Sequence, residues 1–134
     1  MAEESTPRSA EEQEAAQTIL VVEDDADVGA FLLEIMAQET DYQAFLATNG
    51  LAALQFIRYV RPALYILDYH LPDMNGVQLY DRLHAMRGLE STPAIMISAN
   101  LPRTELEQRS LIGLSKPFEL DEFLDTVERL LVRK

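Results

Sequence analysis

The residues best suited to chemistry in this chain are acids, one hydroxyl and one amine, and each sits at the end of a short apolar run. Glu23-Asp24-Asp25 follows Thr18-Ile-Leu-Val-Val22, Asp68 follows residues 63–67, Ser98 closes residues 94–98, and Lys116 follows residues 111–115. Carboxylates gathered at a partly dry site repel one another. A hard cation removes that repulsion, and Mg²⁺ in particular is held by one or two carboxylates, waters and phosphate oxygens. Asp24 and Asp68 supply such carboxylates. Lys116 supplies a compact positive charge that can pair with Asp68 or with a phosphate on it. A carboxylate is a workable nucleophile toward a reactive phosphoryl donor. Such transfer needs in-line placement and neutralised charge more than acid–base work. The chain has no cysteine, which excludes disulfides, zinc–thiolate sites and thiol catalysis.

These groups can act together only if the fold brings them to one place. The apolar runs are short, continuous and rich in β-branched residues, as strands buried on both faces are. They predict strands at 18–22, 42–47, 63–67, 94–98 and 111–115, the last interrupted by Gly113. Helical spacing lies between them. Val28, Phe31, Leu32, Ile35 and Met36 form one apolar face after an Asp25 cap. A second helix starts at Asn49-Gly50, carries Leu54 and Ile57, and ends near Val60, because Arg61 precedes Pro62. Leu79, Tyr80, Leu83 and Met86 mark a third that stops at Gly88. Residues 101–109 allow only a short helix. The last begins near Glu119 with Leu120, Phe123, Leu124, Val127 and Leu131 as its stripe. Tyr42, Phe45, Phe56 and Phe123 read as core, and His84 reads as surface.

Strands alternating with helices predict an α/β fold with a parallel sheet covered on both faces. Five strands suit a flavodoxin-like (βα)5 three-layer sandwich of order 2-1-3-4-5, with the fourth helix shortened. Ligands in such folds bind beyond the carboxyl ends of the strands, at the switch point between strands 1 and 3. Glu23, Asp24 and Asp68 should then be neighbours, with Ser98 and Lys116 on the same rim.

The 134 residues suit one domain. Residues 1–17 are polar and without apolar periodicity; they read as a flexible acidic tail, partly helical at 10–16, ahead of a folded domain at 18–134. The formal net charge is −12. The tail holds five acids and one base, −4, so the rest carries −12 − (−4) = −8. That charge opposes direct nucleic acid binding and favours cationic partners. No apolar run approaches the roughly 20 residues of a membrane span. The acidic N-terminus does not read as a signal peptide, which points to the cytoplasm.

Four segments closely resemble the receiver domains of two-component response regulators. They are Ile19-Leu-Val-Val-Glu-Asp-Asp25, Leu67-Asp-Tyr-His-Leu-Pro-Asp-Met-Asn-Gly76, Met96-Ile-Ser-Ala99 and Ser115-Lys-Pro-Phe118. The resemblance implies that Asp68 is the phospho-acceptor. It implies a Mg²⁺ site formed by Asp24, Asp68, the backbone carbonyl of His70, and Glu23 acting largely through water. Ser98 and Lys116 are implied to bind the phosphoryl group, and His70 and Asn100 to face the attacking water and tune phosphate lifetime. The bond before Pro117 is implied to be cis. Pro72, Met74 and Gly76 are read as structural, Gly76 as a permissive backbone position. The implied donor is a phosphohistidine on a histidine kinase or phosphotransfer protein. The chain is expected to be a signalling module, monomeric or weakly dimeric, with only weak self-phosphorylation and self-dephosphorylation and no metabolic activity. With the sequence ending after the last helix, no output domain is expected, and the chain is expected to act through a partner, relay phosphate, or be a fragment of a longer protein. A phosphorylation-independent adaptor and a Mg²⁺-dependent phosphatase or phosphotransferase with an aspartyl nucleophile are the competing classes.

Two departures stand out. Ser98 and Lys116 are 18 positions apart, short of the family pattern by about one helical turn, roughly four residues. Receivers commonly carry an aromatic three positions before the lysine, and Gly113 stands there. The coupling of Ser98 to an aromatic rotamer is therefore not expected, and order–disorder of residues 100–112 is expected in its place.

Overall fold

Strands and helices alternate through residues 17–132, the part of the chain that the computed structural model describes. In chain order they are β1 (Thr18–Val22), α1 (Ala26–Glu39), β2 (Gln43–Ala47), α2 (Gly50–Phe56), β3 (Leu64–Asp68), α3 (Gly76–His84), β4 (Ala94–Ser98), α4 (Arg103–Gln108), β5 (Ile112–Ser115) and α5 (Leu120–Val132). The tail expected at 1–17 falls almost wholly outside the described residues. The sheet is parallel throughout, in the order β2-β1-β3-β4-β5. The predicted α/β sandwich is therefore the observed one.

Alternation along each strand divides the core in two. Leu20, Val22, Tyr65, Leu67 and Met96 face α2, α3 and α4, while Ile19, Val21, Ile66, Ile95 and Ile97 face α1 and α5. Every residue of β1, β3 and β4 is buried. Each such large side chain contributes about 1.5–3 kcal/mol relative to exposure. That is why the three central strands hold their carboxyl ends in a fixed relation.

Caps set the helix starts. Asp25 Oδ1 accepts from the Asp27 and Val28 N–H at 2.9 and 3.1 Å. Asn75 and Gln78 form a reciprocal capping box at α3. α2 ends at Phe56, earlier than expected, and hydrogen-bonded turns carry the chain to Val60. α3 ends at His84 and turns continue to Gly88, whose φ of 89° suits glycine.

Three side chains depart from the sequence reading. Phe31 is 48% exposed; it lies about 100° around α1 from Leu32 and falls outside the stripe that meets the sheet. Leu120 is exposed in the first turn of α5, which seats itself on Phe123, Thr126, Val127 and Leu130. His84 is half-buried, its Nε2 within 2.8 Å of the Thr92 carbonyl and its ring 4.0 Å from that of Tyr80. Tyr42, Phe45 and Phe56 are only partly buried against the two cores, and Phe123 is fully buried.

Candidate functional site

The carboxyl ends of β1, β3, β4 and β5 form one rim. At β1 the ladder runs one step past the strand, with Glu23 N–H donating to Ala47 O at 3.0 Å. Glu23 then points inward at 2% exposure, while Asp24 is exposed. Asp68 is the last residue of β3, one place further into the strand than expected, and is 5% exposed. Ser98 is fully buried at the end of β4. Lys116 N–H donates to Ser98 O at 2.9 Å, which brings β5 and its lysine to the same level.

The ammonium of Lys116 binds both inner acids, at 3.1 Å from Glu23 Oε1 and 3.3 Å from Asp68 Oδ1. The two acids lie 93 and 48 positions away in sequence. Burial holds the Glu23 carboxyl above the usual range against the Asp25 N–H bond, and the Asp68 charge adds to the rise. Burial opposes the Lys116 charge, but the hydrogen bond to Glu23 and the charge of Asp68 outweigh it and raise its pKa. The site is thus a carboxylate excess only partly compensated by one cation.

Carboxylate oxygens of Glu23, Asp24 and Asp68 all lie within 4.8 Å of one another. This all-oxygen set, with one exposed member for entry, fits a hard divalent cation and offers nothing to a soft one. His70 is exposed, and the loop carrying it turns back so that His70 bridges Asn75. Ser98 Oγ accepts from Asn100 N–H at 3.0 Å and lies 3.2 Å from Asn100 O. The Asn100 side chain is exposed. The Lys116–Pro117 bond is cis.

Gly76 needs a correction. It does not have a positive φ; among described glycines only Gly88 does. Glycine is required for close approach: a Cβ here would stand 2.7 Å from Asp68 O and 3.0 Å from Tyr69 Cα. Gly76 N–H also donates to Tyr69 O at 2.8 Å. α3 is therefore seated directly on the backbone of Asp68.

Two contacts near the site escaped the sequence reading. Asp73 accepts from Gly50 and Leu51 N–H, both at 2.9 Å, and so caps α2 from 23 and 22 positions away. Arg109 forks onto Asp81 at 2.7 and 2.8 Å, tying α4 to α3. The Asp73 bonds hold its carboxyl below the usual range, the one from Gly50 contributing most. A depressed folded pKa gives stability that is present above the unfolded value and lost as pH falls through the folded one. Asp73→Asn is therefore expected to lower the melting temperature at pH 7. The gap to the parent should close under acid, and a scan showing it constant to about pH 3 would contradict the capping role.

Comparison with known proteins agrees with this geometry. The family described as the response regulator receiver domain matches residues 19–128. The chain belongs to this family. Sporulation initiation phosphotransferase F of Bacillus subtilis is 32% identical over 122 residues, covering 88% of this chain and 96% of that protein. The signal receiver domain of a signal transduction histidine kinase from Syntrophus aciditrophicus superposes with a TM-score of 0.76 at 28% identity, covering 87% and 90% of the two chains. The response regulator TrrA of Thermotoga maritima, solved in complex with Mg²⁺ and BeF, gives a TM-score of 0.76 at 26% identity over 85% and 98%. As a receiver, the chain is a phosphoryl-accepting module of two-component signalling. No helix among the described residues is long and apolar enough to cross a membrane.

Proposed function

We propose that Asp68 accepts the phosphoryl group. Asp24, Asp68 and the His70 backbone carbonyl would hold Mg²⁺, with Glu23 acting through water. The observation that carries this is the meeting of Glu23, Asp68 and the Lys116 ammonium across three strand ends. An Asp68 oxygen forms a bond to phosphorus as the P–N bond of a phosphohistidine on a histidine kinase or phosphotransfer protein breaks, the electron pair leaving with the imidazole. When bound, Mg²⁺ supplies neutralising charge at the transferred oxygens. Lys116 pairs with the product phosphate, and the Ser98 hydroxyl donates to one of its oxygens.

The reading makes this chain a cytoplasmic switch that signals by altered partner binding and is not a metabolic enzyme. It has no direct nucleic acid contact and works as a monomer or weak dimer. The excess of acids at the rim and the chain's overall acidity support the absence of nucleic acid contact. Incubation with Mg²⁺ and a small phosphodonor, followed by intact mass measurement, tests the reading. One labile phosphoryl adduct is expected, and none on Asp68→Asn. A parent chain that gains no adduct would favour a phosphorylation-independent adaptor.

His70 is exposed two residues past the acceptor, the position that the family resemblance assigns to the attacking water. His70→Ala is expected to change the half-life of the adduct while Mg²⁺ affinity stays put, since only the backbone carbonyl at this position serves the ion. An unaltered half-life would remove His70 from the hydrolytic step.

A further inference from the structure

The space over Gly113 is filled. A Cβ at this position would lie 2.7 Å from Leu106 Cδ1 and 3.0 and 3.1 Å from the two δ-methyls of Leu101. Leucines from α4 and from the segment before it thus occupy the volume that a side chain on β5 would claim. Leu106 is anchored: it is buried in α4, and Arg109, one residue past that helix, forks onto Asp81. Leu101 is held less firmly: it is only partly buried against the same core, and it precedes Pro102, the N-cap of α4, which has no side-chain cap hydrogen bond.

Beside that packing, Ser98 tethers the backbone next to Leu101. The Ser98 hydroxyl donates to Asn100 O at 3.2 Å while accepting from Asn100 N–H at 3.0 Å, a closed ring of two bonds. The Asn100 carbonyl and the Leu101 N–H belong to one peptide plane. A serine hydroxyl has a single hydrogen to give. If it donates to a phosphoryl oxygen, it can no longer donate to Asn100 O, and that plane loses its tether.

We propose that Leu101, seated on Gly113 and tethered through the Ser98–Asn100 ring, is the side chain that reports phosphorylation in this protein. The inference rests on phosphoryl acceptance at Asp68. On transfer, Ser98 releases Asn100 O, and Leu101 lifts from β5. The N-terminal end of α4 then loosens about the Arg109–Asp81 fork. The fork confines the change to residues 99–106, a narrower segment than 100–112.

Methyl spectra of leucine-labelled protein and deuterium uptake, with and without Mg²⁺ and beryllium fluoride, test this. The ¹⁹F signal reports the bound adduct. With adduct present, the Leu101 methyls should shift, and uptake over residues 99–106, where Leu106 N–H bonds Pro102 O, should rise roughly threefold or more while the amides of 109–111, bonded to Leu106 and Glu107, stay protected. Gly113→Ala provides an arm that needs no phosphoryl mimic. Its methyl should displace the leucines and give the same raised uptake over 99–106 in the untreated protein, with the strands unaffected. An adduct that leaves the Leu101 methyls in place overturns the proposal alone. So does a Gly113→Ala protein with parental uptake. Failure to form any adduct on Asp68 overturns both the proposal and the phosphoryl-acceptor reading beneath it.

Discussion

Lys116→Met is expected to lower stability at pH 7 by at least about 1–3 kcal/mol, the cost of a buried polar group left without its partner, which is greater for charged groups. The substitution keeps most of the stem's volume and removes the charge. Glu23 and Asp68, 2% and 5% exposed, are then left facing each other with no cation between them. The Glu23 carboxyl already stands above its usual range through burial. Losing the lysine raises it further, because the hydrogen bond and charge from Lys116 both lower it. An acid whose folded pKa exceeds its unfolded one favours folding most when protonated. The deficit should therefore be largest at neutral pH and shrink as pH falls toward the ordinary glutamate range, about pH 4. Mg²⁺ should restore more stability in the variant than in the parent, since it supplies the missing charge to the same oxygens. Urea unfolding at several pH values, with and without Mg²⁺, checks all three. A deficit independent of pH and of Mg²⁺ would show that Lys116 contributes through packing and not charge.

Gly76→Ala is expected to damage folding and phosphoryl acceptance together. In an ordinary helix the exchange is favourable by up to about 1 kcal/mol. Here the added methyl meets Asp68 O at 2.7 Å and Tyr69 Cα at 3.0 Å, and these backbone atoms have no rotamer by which to yield. Met96 Sδ, at 2.6 Å, is the more adaptable neighbour. Overpacking of this kind costs about 1–3 kcal/mol. Either α3 withdraws, which breaks the Gly76 N–H bond to Tyr69 O, or the end of β3 shifts and takes Asp68 with it. Displacing a nucleophile by about 1 Å can slow transfer on the order of 10²-fold. The variant should thus melt earlier and acquire the phosphoryl adduct more slowly from the same small donor. The same substitution at Gly50 is a control: there the three atoms nearest the added methyl all belong to the flexible Met74 side chain. A Gly76→Ala chain with parental stability and parental rate would refute the close approach.

How much of this was legible from the residues follows from the range of each interaction. β1 and β4 were bounded correctly because continuous β-branched runs ended by polar residues are local signals. The Asp25 cap of α1 was legible for the same reason. The rim was legible too, although its members are far apart in sequence. In a parallel sheet with right-handed crossovers every strand's carboxyl end faces one way, so whatever follows β1, β3 and β5 must meet. Phe31 shows where periodicity runs out, since the pattern admits an apolar residue that lies beyond the arc touching the sheet.

The residues in order therefore determined the class of fold, the strand order and the set Glu23, Asp24, Asp68, Ser98 and Lys116. Tertiary structure alone decided that Lys116 is shared between two acids, that Asp73 caps a distant helix and that Arg109 pins α4 to Asp81. It also decided that Gly76 answers a steric demand and that leucines fill the place over Gly113. Strand direction and helix period are properties of the backbone that repeat along the chain. Which side chain fills a gap or finds a partner depends on distances between elements, and those exist only once the layers have closed on one another.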